Sequence, residues 1–352
     1  MKKFLAVMFC LFLLSGATWV SAGELFLAKV RTENKELGFI NTKGEMVTKT
    51  NFAAARIFSE GFASVKLEKG GKYGFIDKQG TVAIKPQFDK IRMFAGGLCG
   101  VKIGKKWGFI NKTGKMVIQP EFSWINDFSG GLANASQKEE GKTGYIDRTG
   151  KFVLMHKYYG SRPFIEGLAL VFKKINPQES KTLKGFIDKK GKIIIPINLA
   201  GADDFSEGLA GIAGNPYKRS GHTVYKRGFM DKKGKTVIPV KYLLARDFNE
   251  GLARVRTEKQ RWGFIDKSGN MVIADRYVKV DDFSQGLAPV KVGKVWGFID
   301  KKGNIVITPQ FKSASKFSNG MAYVKSDKLY GYIDKTGNMV IKPQFKSAGP
   351  FK

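Results

Sequence analysis

One pattern, aromatic-Gly-aromatic-Ile-Asp/Asn with a second Gly six residues after the first, returns along this chain and limits what it can fold into. The first Gly stands at Gly38, Gly74, Gly108, Gly144, Gly185, Gly228, Gly263, Gly297 and Gly331, which makes nine copies. A Phe follows each second Gly by 14 residues, from Gly44–Phe58 to Gly337–Phe351. An aromatic residue or Leu sits six before that Phe each time, as Phe52, Phe88, Phe122, Tyr158, Leu199, Tyr242, Tyr277, Phe311 and Phe345. Such fixed intervals describe a packed unit that tolerates no insertion. One unit cannot bury its own faces, so neighbours must stack.

Each copy reads as three short strands. Gly286-Leu287-Ala288-Pro289-Val290 is a typical piece a, Trp296 to Asp300 a piece b, and Val306-Ile307-Thr308-Pro309-Gln310-Phe311 a piece c. All are four to six residues long, rich in β-branched and aromatic types, and bounded by Gly. Asp300-Lys301-Lys302-Gly303 carries the preferences of a tight turn, so b and c form a hairpin and the Asp column needs no metal to explain it. A short link reaches the Phe that opens the next copy. Length varies only between a and b. The Gly-to-Gly distance there is 11 at Gly286–Gly297, 18 at Gly167–Gly185 and 20 at Gly208–Gly228.

Trp-Gly-Phe-Ile-Asp-Lys-x-Gly-x-x-Val-Ile-x-Pro-x-Phe followed by Phe-Ser-x-Gly-Leu-Ala-x-Val resembles the bacterial WG-repeat family. The resemblance runs over essentially the whole chain after its first segment. It implies tandem β-repeats in bacterial, often exported, proteins whose role is generally unassigned. The chain departs from the pattern where Leu37, Thr143, Lys184 and Arg227 replace the aromatic before Gly.

Lys2 and Lys3, the apolar run Phe4 to Leu14 and the small residues ending at Ala22 read as a signal peptide, residues 1–22, cleaved after Ala22. Residues 23–352 then form one repeat domain, with no transmembrane segment, exported to the periplasm or cell surface. Cleavage removes two lysines and no acid from a formal charge of +31. A charge this large draws the chain to anionic partners. Export argues against nucleic acid and for an anionic envelope component (acidic polysaccharide or lipid head groups) or an acidic protein. Cys99 is then the only cysteine, so no intramolecular disulfide is possible.

Lysines crowd both hairpin ends, among them Lys78, Lys112, Lys189, Lys232 and Lys301 in b–c turns. They read either as solubility and edge protection or as anion-binding stripes. Candidate ligand-binding residues are Lys173, Lys174 and Lys184 in the loop 172–184, and Tyr217, Lys218, Arg219, His222, Tyr225 and Arg227 in the loop 211–227. Trp107, Trp262 and Trp296 join them either as exposed platforms for sugar rings or cations, or as extensions of the core. His156 replaces the Pro of piece c. No Cys/His cluster, phosphate-cradling loop or nucleophile elbow is present, so no cofactor, metal or catalytic residue is expected.

The expected fold is all-β, nine three-stranded meanders stacked as an open curved solenoid, with a closed propeller or toroid as the alternative. Three strands and nine copies depart from the usual four strands and four to eight blades of a propeller. The expected function is a non-enzymatic exported binding or scaffold protein with a basic surface. The alternatives are a protein-interaction scaffold using loops 172–184 and 211–227, and, ranked last, a glycan-acting enzyme using Glu139, Glu140 or Glu179.

Overall fold

The computed structural model describes residues 25–48, 52–137, 141–156, 158–176, 178, 181–219 and 222–352. The signal segment 1–22 and the acids Glu139, Glu140 and Glu179 lie outside the described residues. The fold is a closed nine-bladed β-propeller, which corrects the open solenoid. Each of eight blades is a four-stranded antiparallel sheet in the order link-a-b-c. In blade 9 these strands are Ser313–Ala314, Ala322–Ser326, Leu329–Ile333 and Met339–Phe345. Blades are numbered here by the order of their first Gly, from Gly38 in blade 1 to Gly331 in blade 9.

The solenoid expectation failed because the link is itself a strand. It is only two residues long in six blades, such as Ala54–Ala55 and Trp124–Ile125, too short to show a pattern. Each link strand belongs to the blade that follows it, so the last one, Ser347–Phe351, has no blade of its own. It pairs with Ala28–Arg31 of blade 1, with Ala28 opposite Phe351 and Arg31 opposite Ser347. Leu27 and Lys352 exchange two backbone hydrogen bonds of 3.0 Å beside it. The out-of-phase strand that closes the ring was therefore hidden in the link.

The core lies between blades. The b-strand aromatic of each blade meets the link Phe of the next, 19 residues on, as in Phe298–Phe317 at 5.0 Å between ring centroids. All nine such pairs fall between 4.6 and 5.1 Å. The ninth, Tyr332–Phe351 at 4.9 Å, crosses the seam. There Ser318 Oγ also donates to the Phe351 carbonyl at 2.7 Å, as Ser284 does to Phe317. Burying each such side chain contributes about 1.5–3 kcal/mol, and an edge-to-face pair adds about 0.5–1.5 kcal/mol. The invariant spacing of the sequence is the length of chain that carries one ring of this pair to the other.

Gly297 has a steric reason. The c strand bows over it, so a Cβ there would meet the Ile307 carbonyl oxygen at 2.5 Å and Pro309 N at 2.7 Å. The turn Gly303 needs its left-handed φ of 86°, and Asp300 Oδ1 accepts the N–H groups of Lys302 and Asn304 at 2.9 Å.

Link strands converge on the axis, and c strands form the rim. Asp247 in the blade 7 link lies in the field of Asp203 and Asp204 in blade 6 and Asp282 in blade 8, a closeness that diverging outer strands would not allow. The c strands alternate between exposed and buried along their length.

Closure makes the seam equivalent to any other blade junction. Phe351→Ala should therefore lower the unfolding free energy by about 3–5 kcal/mol, as much as Phe317→Ala, in urea titrations. An open end would make Phe351→Ala much the milder change.

Candidate anion-binding face

Antiparallel strands sort the connections onto two faces. Link–a and b–c turns emerge on one, a–b hairpins and c–link connections on the other. Closure gathers the connections of each kind into a ring rather than a stripe, with the chain ends at the link–a position of blade 1.

The hairpin face carries many of the chain's cations, some of them ion-paired there, as Lys72 with Asp89, Lys259 with Asp275 and Lys312 with Asp327. Five of the nine a–b segments hold three or four cations, among them Lys102, Lys105 and Lys106 in blade 3 and Lys218, Arg219, Lys226 and Arg227 in blade 6. Neither of those two segments contains an acid. Each Trp of the repeat faces a cation across the a–b pair, as Lys102↔Trp107, Arg256↔Trp262 and Lys291↔Trp296. The Trp side chains are half-buried and pack on the blade cores. Arg92 lies over the Trp107 ring and Arg254 over Trp262, at 5.7 and 5.9 Å. Trp262 and Trp296 occupy adjacent blades, and Trp107 sits four blades from Trp262.

The two stretches expected as long loops are largely ladder. Lys174 pairs with Thr182. The stretch 211–227 belongs to a hairpin of strands Leu209–Arg219 and His222–Asp231, paired as far as Arg219↔His222. Blades 5 and 6 are neighbours, so Lys173, Lys174, Tyr217, Lys218, His222 and Tyr225 share one sector of the hairpin face. Lys173 and Lys218 are exposed. Lys174 lies over Tyr159 at 4.8 Å. Lys226 lies over Tyr217 and bridges Glu258 of blade 7 at 2.9 Å, which tethers the hairpin.

Lys184 and Arg227 serve the inner strand instead. Lys184 Nζ donates to the Ala202 carbonyl at 3.4 Å, and burial lowers its pKa. Arg227 pairs with Asp203 at 3.3 Å. Both positions lack the usual aromatic, and in blade 5 Phe172 on strand a faces Lys184 on strand b, so aromatic and cation have exchanged strands. Cations from one blade repeatedly cap free link carbonyls of the next, as Lys29 on Ala55, Arg56 on Ile91, Arg92 on Ile125 and Arg254 on Val280.

On the turn face the first lysine of several b–c turns is held in a clamp. Glu250 accepts the Gly286 N–H at 3.0 Å and pairs with Lys301 at 3.3 Å, both in the next blade. Glu60 does the same with Gly97 and Lys112, Glu166 with Gly208 and Lys232, and Glu207 with Gly251 and Lys267. These four glutamates adopt positive φ of 49–53°, a conformation unusual outside Gly, Asn and Asp. It aims each carboxylate at the neighbouring blade.

A family model described as WG containing repeat matches residues 38–73, 73–107, 107–139, 144–174, 185–213, 228–259, 262–296, 296–330 and 330–352. The chain belongs to this family. Comparison with curated proteins returned no match. Among solved structures, the WG-repeat chain is similar to a crystal structure of the eukaryotic initiation factor, at 9% identity and TM-score 0.63 over 93% of this chain and 98% of that one. That likeness concerns the fold alone. AztD from Citrobacter koseri (12% identity, TM-score 0.44, 93% and 98% covered) and BamB from Moraxella catarrhalis (11%, 0.42, 79% and 92%) are more distant and carry no argument.

The WG-repeat clamp was missed from sequence, although Glu-Gly recurs at 60–61, 166–167, 207–208 and 250–251. Burial raises the Glu250 pKa, but the Gly286 and Gln285 N–H groups and Lys301 outweigh it and hold the carboxyl below its ordinary 4.5. Glu60 and Glu166 are lowered in the same way. A depressed folded pKa stabilises above the unfolded value and loses that contribution as pH falls through the folded one. Glu250→Gln should thus lower the urea midpoint at pH 7, and the difference from wild type should shrink as pH drops below about 4.5.

Proposed function

We propose that this WG-repeat propeller is an exported, non-enzymatic binding protein whose hairpin face holds an anionic component of the cell envelope, acidic polysaccharide or lipid head groups. One observation carries the reading. Closure collects the a–b cations into a ring on one face, and in blades 3 and 6 they come from segments that hold no acid. A ring of cations on a rigid scaffold favours an extended polyanion over a small ligand, because many weak, screened contacts must act together. Capture of an acidic protein is the second reading, supported by the tethered blade 6 hairpin with Tyr217 and Tyr225.

The test compares two variants of equal charge change. One replaces Lys69, Lys105, Lys218, Lys294 and Lys328 of the hairpin face by Gln. The other replaces Lys43, Lys190, Lys233, Lys302 and Lys335 of the turn face. Binding to phosphatidylglycerol vesicles and to an acidic polysaccharide is measured at low and moderate salt. The hairpin-face variant should lose most binding to one of the two, and the turn-face variant should keep it. Wild-type binding should weaken steeply with salt. Equal losses in both variants, or binding indifferent to salt, would defeat the reading.

A further inference from the structure

The rim of blade 4 is built differently from its neighbours. In blades 2, 3 and 5 to 9 the c strand bows away from b, so that two b residues face four c residues, as between Trp296↔Phe311 and Phe298↔Ile307. Each bow contains a Pro or, in blade 7, Asp275. These features blunt an exposed sheet edge, because Pro offers no N–H, a buckled strand cannot pair, and charge opposes stacking. Blade 4 has none of them at that place. Its c strand, Phe152–Met155, pairs Gly144↔Met155 and Tyr145↔Leu154 directly, and His156 replaces the Pro and bonds the Thr143 carbonyl through its N–H at 3.1 Å. By the two-residue alternation of a ladder, the N–H and C=O of Met155 point outward.

The strand itself is apolar. Met155 is 62% exposed and Val153 50%, both on its length. Beside them a cavity of about 430 Å³ opens between blades 4 and 5, lined by Leu154, Met155, Ile193 and Ile197 with Lys173 at its border. Free backbone groups, apolar side chains and an apolar groove are what an added strand uses, the first for affinity and the others for specificity.

Charge decides the occupant. Lys151, Lys173 and Lys192 are exposed around the edge and outnumber the nearby turn carboxylates Asp147 and Asp188, which accept N–H groups of their own turns. A second copy would bring another chain of formal charge +31 against this one, which repulsion opposes. We propose that the outer edge of blade 4 is a docking site for an extended segment of another protein, alternating apolar with acidic residues, which adds itself to the blade as a fifth strand.

The experiment uses a fluorescent, blocked heptapeptide alternating valine with glutamate, and a control alternating valine with lysine. Anisotropy is read on wild type, Met155→Pro, Met155→Glu and the five-lysine hairpin-face variant, and sedimentation on the protein alone. Met155→Pro removes an outward N–H and leaves the inner ladder intact. Met155→Glu changes an exposed side chain and decides the matter if the Pro variant fails to fold. The glutamate peptide should bind wild type and the hairpin-face variant alike, and each Met155 variant about tenfold more weakly at an unchanged urea midpoint. The lysine peptide should not bind. The proposal is overturned if the glutamate peptide does not bind, if both Met155 variants bind it as wild type does, if binding vanishes in the hairpin-face variant, or if the protein forms dimers that Met155→Pro abolishes.

Discussion

The contact between the b-strand aromatic of one blade and the link Phe of the next holds this ring together. It is made nine times, including across the seam as Tyr332–Phe351. Because the two rings belong to different blades, the pair is at once the core and the junction. The fixed length of chain from the b strand to the link Phe brings one ring to the other in every blade, with or without the bow of the c strand. A wedge of fixed shape, repeated, must either spiral or close. Here it closes after nine, and the register Ala28↔Phe351 joins the ends with main-chain hydrogen bonds.

Closure reorganises the charge. In an open stack the lysines of both hairpin ends would run in parallel stripes of equal standing. In the ring each face pairs part of its charge, the hairpin face through contacts such as Lys226–Glu258 and Lys259–Asp275. Turn-face lysines such as Lys112, Lys232 and Lys301 meet glutamates of the preceding blade. Along the axis, Arg254, Asp281 and Asp282 pair across blades, and burial together with Asp203, Asp282 and Asp204 raises the Asp247 pKa. The hairpin face keeps segments rich in cations and without acids in blades 3 and 6, and blade 4 keeps an unguarded edge. The proposed binding functions lie on the surfaces that the ring's own stabilisation leaves free.

Much of the architecture was legible in the chain. Short runs of β-branched and aromatic residues bounded by Gly marked the a, b and c strands, and Asp-x-x-Gly marked the b–c turns. The link strands were not legible, because two residues such as Ala314 and its neighbour carry no period. The site was half legible. Lys173 and Lys218 are exposed in paired strands of the hairpin face, whereas Lys184 and Arg227 turn to the inner strand of blade 6. Their partners Ala202 and Asp203 are 18 and 24 residues away, a relation that only folding creates.

The sequence by itself determined the repeat, its β character, the rigid span from turn Gly to link Phe and the variable a–b hairpins, because these follow from local sterics and side-chain period. Tertiary structure alone decided between spiral and ring, since that rests on the angle at which one wedge meets the next, a quantity no single repeat encodes. It also decided which lysines meet a carboxylate. That depends on carboxylates such as Glu250, which lies 51 positions before Lys301 and comes within 3.3 Å of it only in the packed blades.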